Sequence, residues 1–156
     1  MIYSLSTDSI IRIVHAVWAL HIISYRDADS LTCGPDLLPS RRDLMTAIIT
    51  DAFAETLVAL LPYVSDSNLD SVDVEETLRF SLADTLAIPE GSHPIIRRSI
   101  EQSIAYRVIS LCLMALPDGG GILTEEISRK SAFHLESALT MLHSNRVNRP
   151  FIREVS

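Results

Sequence analysis

Apolar residues recur at helical spacing in four stretches of the chain, and the longest of these runs from His93 to Leu116. Ile95, Ile96, Ile100, Ile104 and Val108 share its core face, with Arg97, Arg98, Glu101 and Gln102 opposite. From Val108 to Leu116 only Ser110 is polar. A helix that is apolar nearly all round belongs inside a bundle, so this stretch is expected to be the central strut. Ser92 is placed to cap it, Pro94 suits its first turn and Pro117 ends it.

Three further helices follow from the same reasoning. The first spans 7–25, with Ser6, Thr7 or Asp8 as cap and Ile10, Val14, Val17, Trp18 and His21 at helical spacing. Its polar face is thin, and Trp18 reads as a core residue. The second spans 41–61, capped by Ser40, with rows at Leu44, Ile48, Ala52, Thr56, Leu60 and at Ile49, Phe53, Leu57, Leu61. The fourth spans 124–144, capped by Thr124. Ile127, Ala132, Phe133, Leu135, Ala138, Leu139 and Leu142 supply its stripe. Pro117-Asp118-Gly119-Gly120-Gly121 reads as a flexible link before it.

Residues 63–91 break the helical period. Val72 and Val74 alternate with polar neighbours, and so do Leu78, Phe80 and Leu82, which predicts two short strands or one hairpin. The fold class expected is therefore mainly α: about four helices around a long central one, with a short β-hairpin or extended excursion. Residues 1–144 form one helical domain, and 145–156 form a basic arm. A chain of 156 residues suffices for one core.

Charge sharpens the picture. The chain carries −7, and the excursion holds seven acids against Arg79 alone, so most of the excess charge is local. This balance argues against sequence-specific nucleic-acid binding and against docking on anionic membranes. No apolar run reaches the ~18–20 residues of a membrane span. The start of the sequence has no basic leader region, so no signal peptide is expected. After Ser144 the sign reverses: Arg146, Arg149 and Arg153 face Glu154 alone, and Phe151 adds an aromatic anchor. Arg146, Arg149, Phe151 and Arg153 are one candidate partner-binding set. Glu75 and Glu76, in the acidic excursion, are the other.

No spacing names a reaction. Asp27 and Asp29 do not continue as a calcium loop. The glycine run lacks the Walker lysine, and the helix after it opens with Glu125 and Glu126, which would repel phosphate. Asp51 and Glu55, four apart, lack the second pair of a carboxylate site and read as a solvated face. The five histidines, His15, His21, His93, His134 and His143, share no ligand spacing, and Cys33 and Cys112 form no Cys-x-x-Cys. Catalytic residues, metals and cofactors are expected to be absent.

The order of elements resembles the head–tail connector (adaptor) proteins of tailed bacteriophages. The matching parts are Arg41–Leu61, the excursion Val72–Leu82, and the segment from Ile88-Pro89-Glu90 to Tyr106. This last part resembles the family's Pro-introduced long helix, and the tail from Arg146 to Arg153 resembles its portal-docking arm. The resemblance covers roughly residues 40–156. It departs from the family in a long additional helix before residue 40 and in a more apolar central helix. It implies a non-enzymatic virion assembly protein, made in the bacterial cytoplasm. The family forms a homo-oligomeric ring between the portal protein and the tail or neck proteins. Composition alone also allows a cytoplasmic helical interaction or regulatory module whose acidic excursion meets a basic partner.

Overall fold

The computed structural model describes residues 1–24, 37–69 and 76–146. In chain order the elements are β1 (Ile2–Ser6), α1 (Thr7–Ser24), α2 (Arg42–Leu60), β2 (Val64–Ser67), β3 (Thr77–Leu82), a 3₁₀ turn (Glu90–Ser92), α3 (His93–Met114) and α4 (Gly121–Ser144). The protein is mainly helical, as the periodicity predicts, with one small antiparallel sheet.

α3 is the strut. It packs against α1, α2, α4 and β1. Its buried residues, Ile96, Ile100, Ile104, Val108, Ile109 and Leu113 among them, cover a wide arc that one neighbour alone would not fill. α3 and α4 approach through small residues. Ser103 Oγ donates to Ser131 O at 3.0 Å, and Ser131 Oγ returns a bond to Ser103 O at 2.8 Å. Two turns further along α3, Ser110 and Ser128 share a hydroxyl bond at 2.7 Å. These buried hydroxyls bond back to a facing helix, so burial leaves them satisfied. Arg107 of α3 clamps Glu55 of α2 through Nε and Nη2, at 2.5 and 3.2 Å. Asp51 and Glu55 are both exposed, as expected of a solvated face, and Glu55 also ties α2 to α3.

The sheet has the order β1–β3–β2, with β3 central. Leu78, Phe80 and Leu82 of β3, and Tyr3 and Leu5 of β1, alternate inward onto the helices. The period-two reading of Leu78–Leu82 thus finds its strand, but its partners are β1 and Val64–Ser67. The strand expected around Val72 and Val74 lies outside the described residues. β2 is nearly all exposed. Short, polar and bulged between Val64 and Asp66, it protects the sheet's edge from pairing with other chains.

Several caps differ from expectation. Ser6 accepts from Ser9 N at 3.4 Å and opens α1 as anticipated. Arg41, not Ser40, occupies the cap position of α2, and its guanidinium grips Asp43 at 2.7 Å. Ser92 flanks α3 without a side-chain cap bond. α4 begins three residues early, at Gly121, and Thr124 donates instead to Gly119 O at 2.6 Å. Trp18 and Cys112 are buried in the core, whereas Phe133, expected on the α4 stripe, is 65% exposed. Leu44 and Leu61, at the ends of the expected α2 rows, are exposed as well.

Candidate partner-binding surfaces

The root of the basic arm is fixed to the body. Ala87 N donates to Asn145 O at 3.0 Å, and Leu86 bridges Arg146 in antiparallel fashion. The Arg146 guanidinium lies 5.7 Å from the Tyr63 ring, within cation–π range. Tyr63 in turn hydrogen-bonds His143 Nδ1 at 3.2 Å. Arg146, predicted as a docking residue, is exposed at the end of α4, beside the Tyr63 ring. Arg149, Phe151 and Arg153 lie outside the described residues, as does Glu75.

Glu76 is described, and it stands in company that sequence spacing did not reveal. Its carbonyl accepts from Thr7 N at 3.0 Å, which joins the start of β3 to the start of α1. Its side chain helps line an open groove of about 630 Å³ with Arg42, Asp43, Thr46, Ala47, Thr50 and Asp51. Three carboxylates and one guanidinium therefore share this groove. Arg42 is already paired with Asp8 across the α1–α2 junction, and Asp43 is held by Arg41. Asp51 and Glu76 are far apart in sequence, and only the seating of β3 beside α2 brings them together.

The groups with perturbed acidity are buried or half-buried. Cys112 has its thiol pushed up to about 11 by burial, so it stays protonated and unreactive near neutrality. Burial lowers His21 and His134 below the usual imidazole range; for His21 the nearby Lys130 charge adds to the effect and Glu126 opposes it. Burial raises Glu101, and the charges of Arg97 and Arg98 partly oppose it. Among the described residues no three His, Cys, Asp or Glu side chains gather closely enough to hold a metal. Nor is any described helix long and apolar enough to cross a membrane.

Tyr3 is strongly shifted as well. Its hydroxyl meets His93 Nδ1 at 2.6 Å, which staples β1 to the first turn of α3. Burial pushes its pKa up to about 12, against the lowering effect of Arg97. A phenol raised above its unfolded value near 10 favours the fold fully below pH 10, and that contribution is lost as pH climbs toward 12. Thermal melts should therefore fall steeply across this window. Tyr3→Phe is expected to cost about 1 kcal/mol at neutral pH by losing the hydrogen bond. It should also flatten the alkaline slope. An unchanged slope in that variant would show that another group controls it.

Sequence and structure comparisons give no relative on which to lean: no family model, no curated protein and no solved structure matches this chain.

Proposed function

We propose that the chain is a structural subunit of a tailed-bacteriophage particle, a non-catalytic head–tail connector assembled in the bacterial cytoplasm. It docks on the portal and on tail or neck proteins through its basic arm, as part of a homo-oligomeric ring. The observation that carries this reading is the stapled root of the arm at Asn145–Arg146. A docking segment launched from a fixed point loses less freedom on binding than one launched from a frayed helix end. The residues beyond it, with Arg149, Arg153 and Phe151, have the chemistry of such a segment. Exposed apolar side chains on several elements, including Leu20, Val58, Leu61 and Ile122, suit a protein that works with neighbours on more than one side.

The test is deletion of residues 147–156, which spares the Asn145–Arg146 staple. The shortened chain should keep its helical circular dichroism and lose capture by purified portal rings. Full retention of portal binding would remove the proposal. The acidic groove at Glu76 favours a second reading, a regulatory module that receives a basic partner there. Asp51→Asn with Glu76→Gln would abolish that binding, and the arm deletion would leave it intact.

A further inference from the structure

Helix α2 breaks the rule that puts polar side chains on the outer face of a surface helix. Its inward side is built as expected, with Met45, Ile49, Ala52, Phe53, Thr56 and Leu60 buried. The opposite side is apolar too. Leu44, Ala47, Asp51, Ala54, Val58 and Leu61 follow one another at steps of three and four, and Asp51 alone among them is polar. Leu61 ends the helix with α-helical dihedrals, φ −46° and ψ −40°, so the row keeps its screw to the last position. Leu44 is 48% exposed, Val58 67% and Leu61 65%, and Ala47 and Asp51 are exposed as well. A helix that is apolar all round is ordinarily covered all round. Apolar residues scattered singly over a surface need no explanation, but a continuous row does.

Alternating steps of three and four are the spacing of a coiled-coil seam, in which the stripe of one helix packs along the stripe of another. The row is also self-complementary. Its positions pair off about one midpoint, between Ala52 and Phe53: Leu44 with Leu61, Ala47 with Val58, and Asp51 with Ala54. A second α2 laid antiparallel therefore sets Leu against Leu, small Ala against Val, and each Asp51 against the methyl of Ala54. Charge agrees with this direction. Arg41 and Arg42 stand at the start of α2, and its last turn has no basic residue to answer the partial negative charge of the free carbonyls there. Antiparallel pairing brings the arginines of each copy to that end of the other. Parallel pairing would set Asp51 against Asp51 and arginines against arginines.

We infer that the outer face of α2 binds the same face of a second copy, as an antiparallel two-helix contact about a two-fold axis. Such a contact is isologous and closes on two copies, so it is not the joint of a ring and stands without the connector reading. From Leu44 to Leu61 the seam is about 26 Å long. One narrow seam of that length belongs to the small, reversible class of interfaces. Asp51 weakens it further and sets its register, because the two carboxylates lie on either side of the axis and oppose each other.

The experiment uses the purified full chain with no other protein present. Sedimentation velocity across a concentration series should show reversible dimers. Val58→Glu and Leu61→Glu should each raise the dissociation constant at least about tenfold, with unchanged circular dichroism because both positions are exposed. Neither residue lines the groove at Glu76, so these variants leave a basic partner's site intact. Asp51→Leu should lower the dissociation constant. Direction is read by disulfide trapping in a chain with Cys33→Ser, where the remaining Cys112 is buried. Copies with Leu44→Cys mixed with copies carrying Leu61→Cys should form a mixed disulfide. Each variant alone should stay unlinked, since its two thiols lie about 26 Å apart. A wild-type chain that stays monomeric would overturn the inference, and so would dimers indifferent to Val58→Glu and Leu61→Glu, or single cysteine variants that link to themselves. Portal capture is a separate readout. The arm deletion should leave the dimer intact and the α2 variants should leave portal capture intact, so either proposal can fail without the other.

Discussion

Phe53→Ala is expected to lower the unfolding free energy by about 3–5 kcal/mol, the range for emptying a fully buried aromatic site. Phe53 is inaccessible to solvent on α2, and its ring lies 6.3 Å from that of Phe80 in the central strand. Phe80 in turn takes the edge of Tyr3 at 5.3 Å, and Tyr3 is stapled to His93 at the head of α3. The chain Phe53–Phe80–Tyr3–His93 thus joins α2, β3, β1 and α3. A cavity at its first member loosens the sheet from the bundle and cannot be refilled by one local shift. Against a total stability of about 5–15 kcal/mol, the loss is large. In a domain of this length it should lower the melting temperature by roughly 10 °C or more. Phe133→Ala is the control. The same side chain at an exposed position should change stability by less than about 0.5 kcal/mol. Denaturant unfolding followed by circular dichroism measures both. A Phe53→Ala loss under about 1.5 kcal/mol would mean that the aromatic chain does not hold the sheet.

The helices were legible because each carries enough turns for its period to stand out. His93 to Met114 shows this best: its isoleucines repeat at three and four, and its start and end lie beside Pro94 and Pro117. The sheet was harder to read. β1 is five residues long and runs straight into α1, so the alternation at Tyr3 and Leu5 offers too few repeats to stand against the helix that follows. β2 has one apolar residue, Val64, because an exposed edge strand needs no more. Only β3, covered by helices on its inner face and paired on both edges, shows its period in full. The surfaces fared differently again. Arg146 belongs to the basic run in sequence, and in space it also lies beside Tyr63 and bridges Leu86. Asp51 and Glu55 look alike at four-residue spacing. The neighbours α3 and β3 send Glu55 to Arg107 and leave Asp51 in the groove with Glu76. Such partners come from tertiary placement, which local spacing does not encode.

The glycine turn between α3 and α4 marks the same boundary between local and tertiary information, and its substitution should have the second large effect. Three glycines in a row read as a loose link, yet each adopts a left-handed conformation, with φ of 66°, 77° and 57° at Gly119, Gly120 and Gly121. At Gly119 and Gly121 an added methyl group would meet open space, so Ala there should cost only the left-handed penalty of about 1–2 kcal/mol. Gly120 is different. A Cβ there would fall 2.1 Å from Thr124 Oγ1 and 2.9 Å from Leu113 Cβ. Thr124 would have to turn away and give up its 2.6 Å bond to Gly119 O, worth about 1 kcal/mol. Leu113 is fully buried on the last turn of α3 and has little room to move. With the overpacking included, Gly120→Ala should cost about 3 kcal/mol, clearly more than either neighbour. Equal losses at the three positions, in parallel unfolding titrations, would show that only backbone handedness matters. A larger loss at Gly120 would show that the turn is packed against α3 and sets the angle at which α4 returns. The Ser103–Ser131 and Ser110–Ser128 contacts depend on that angle.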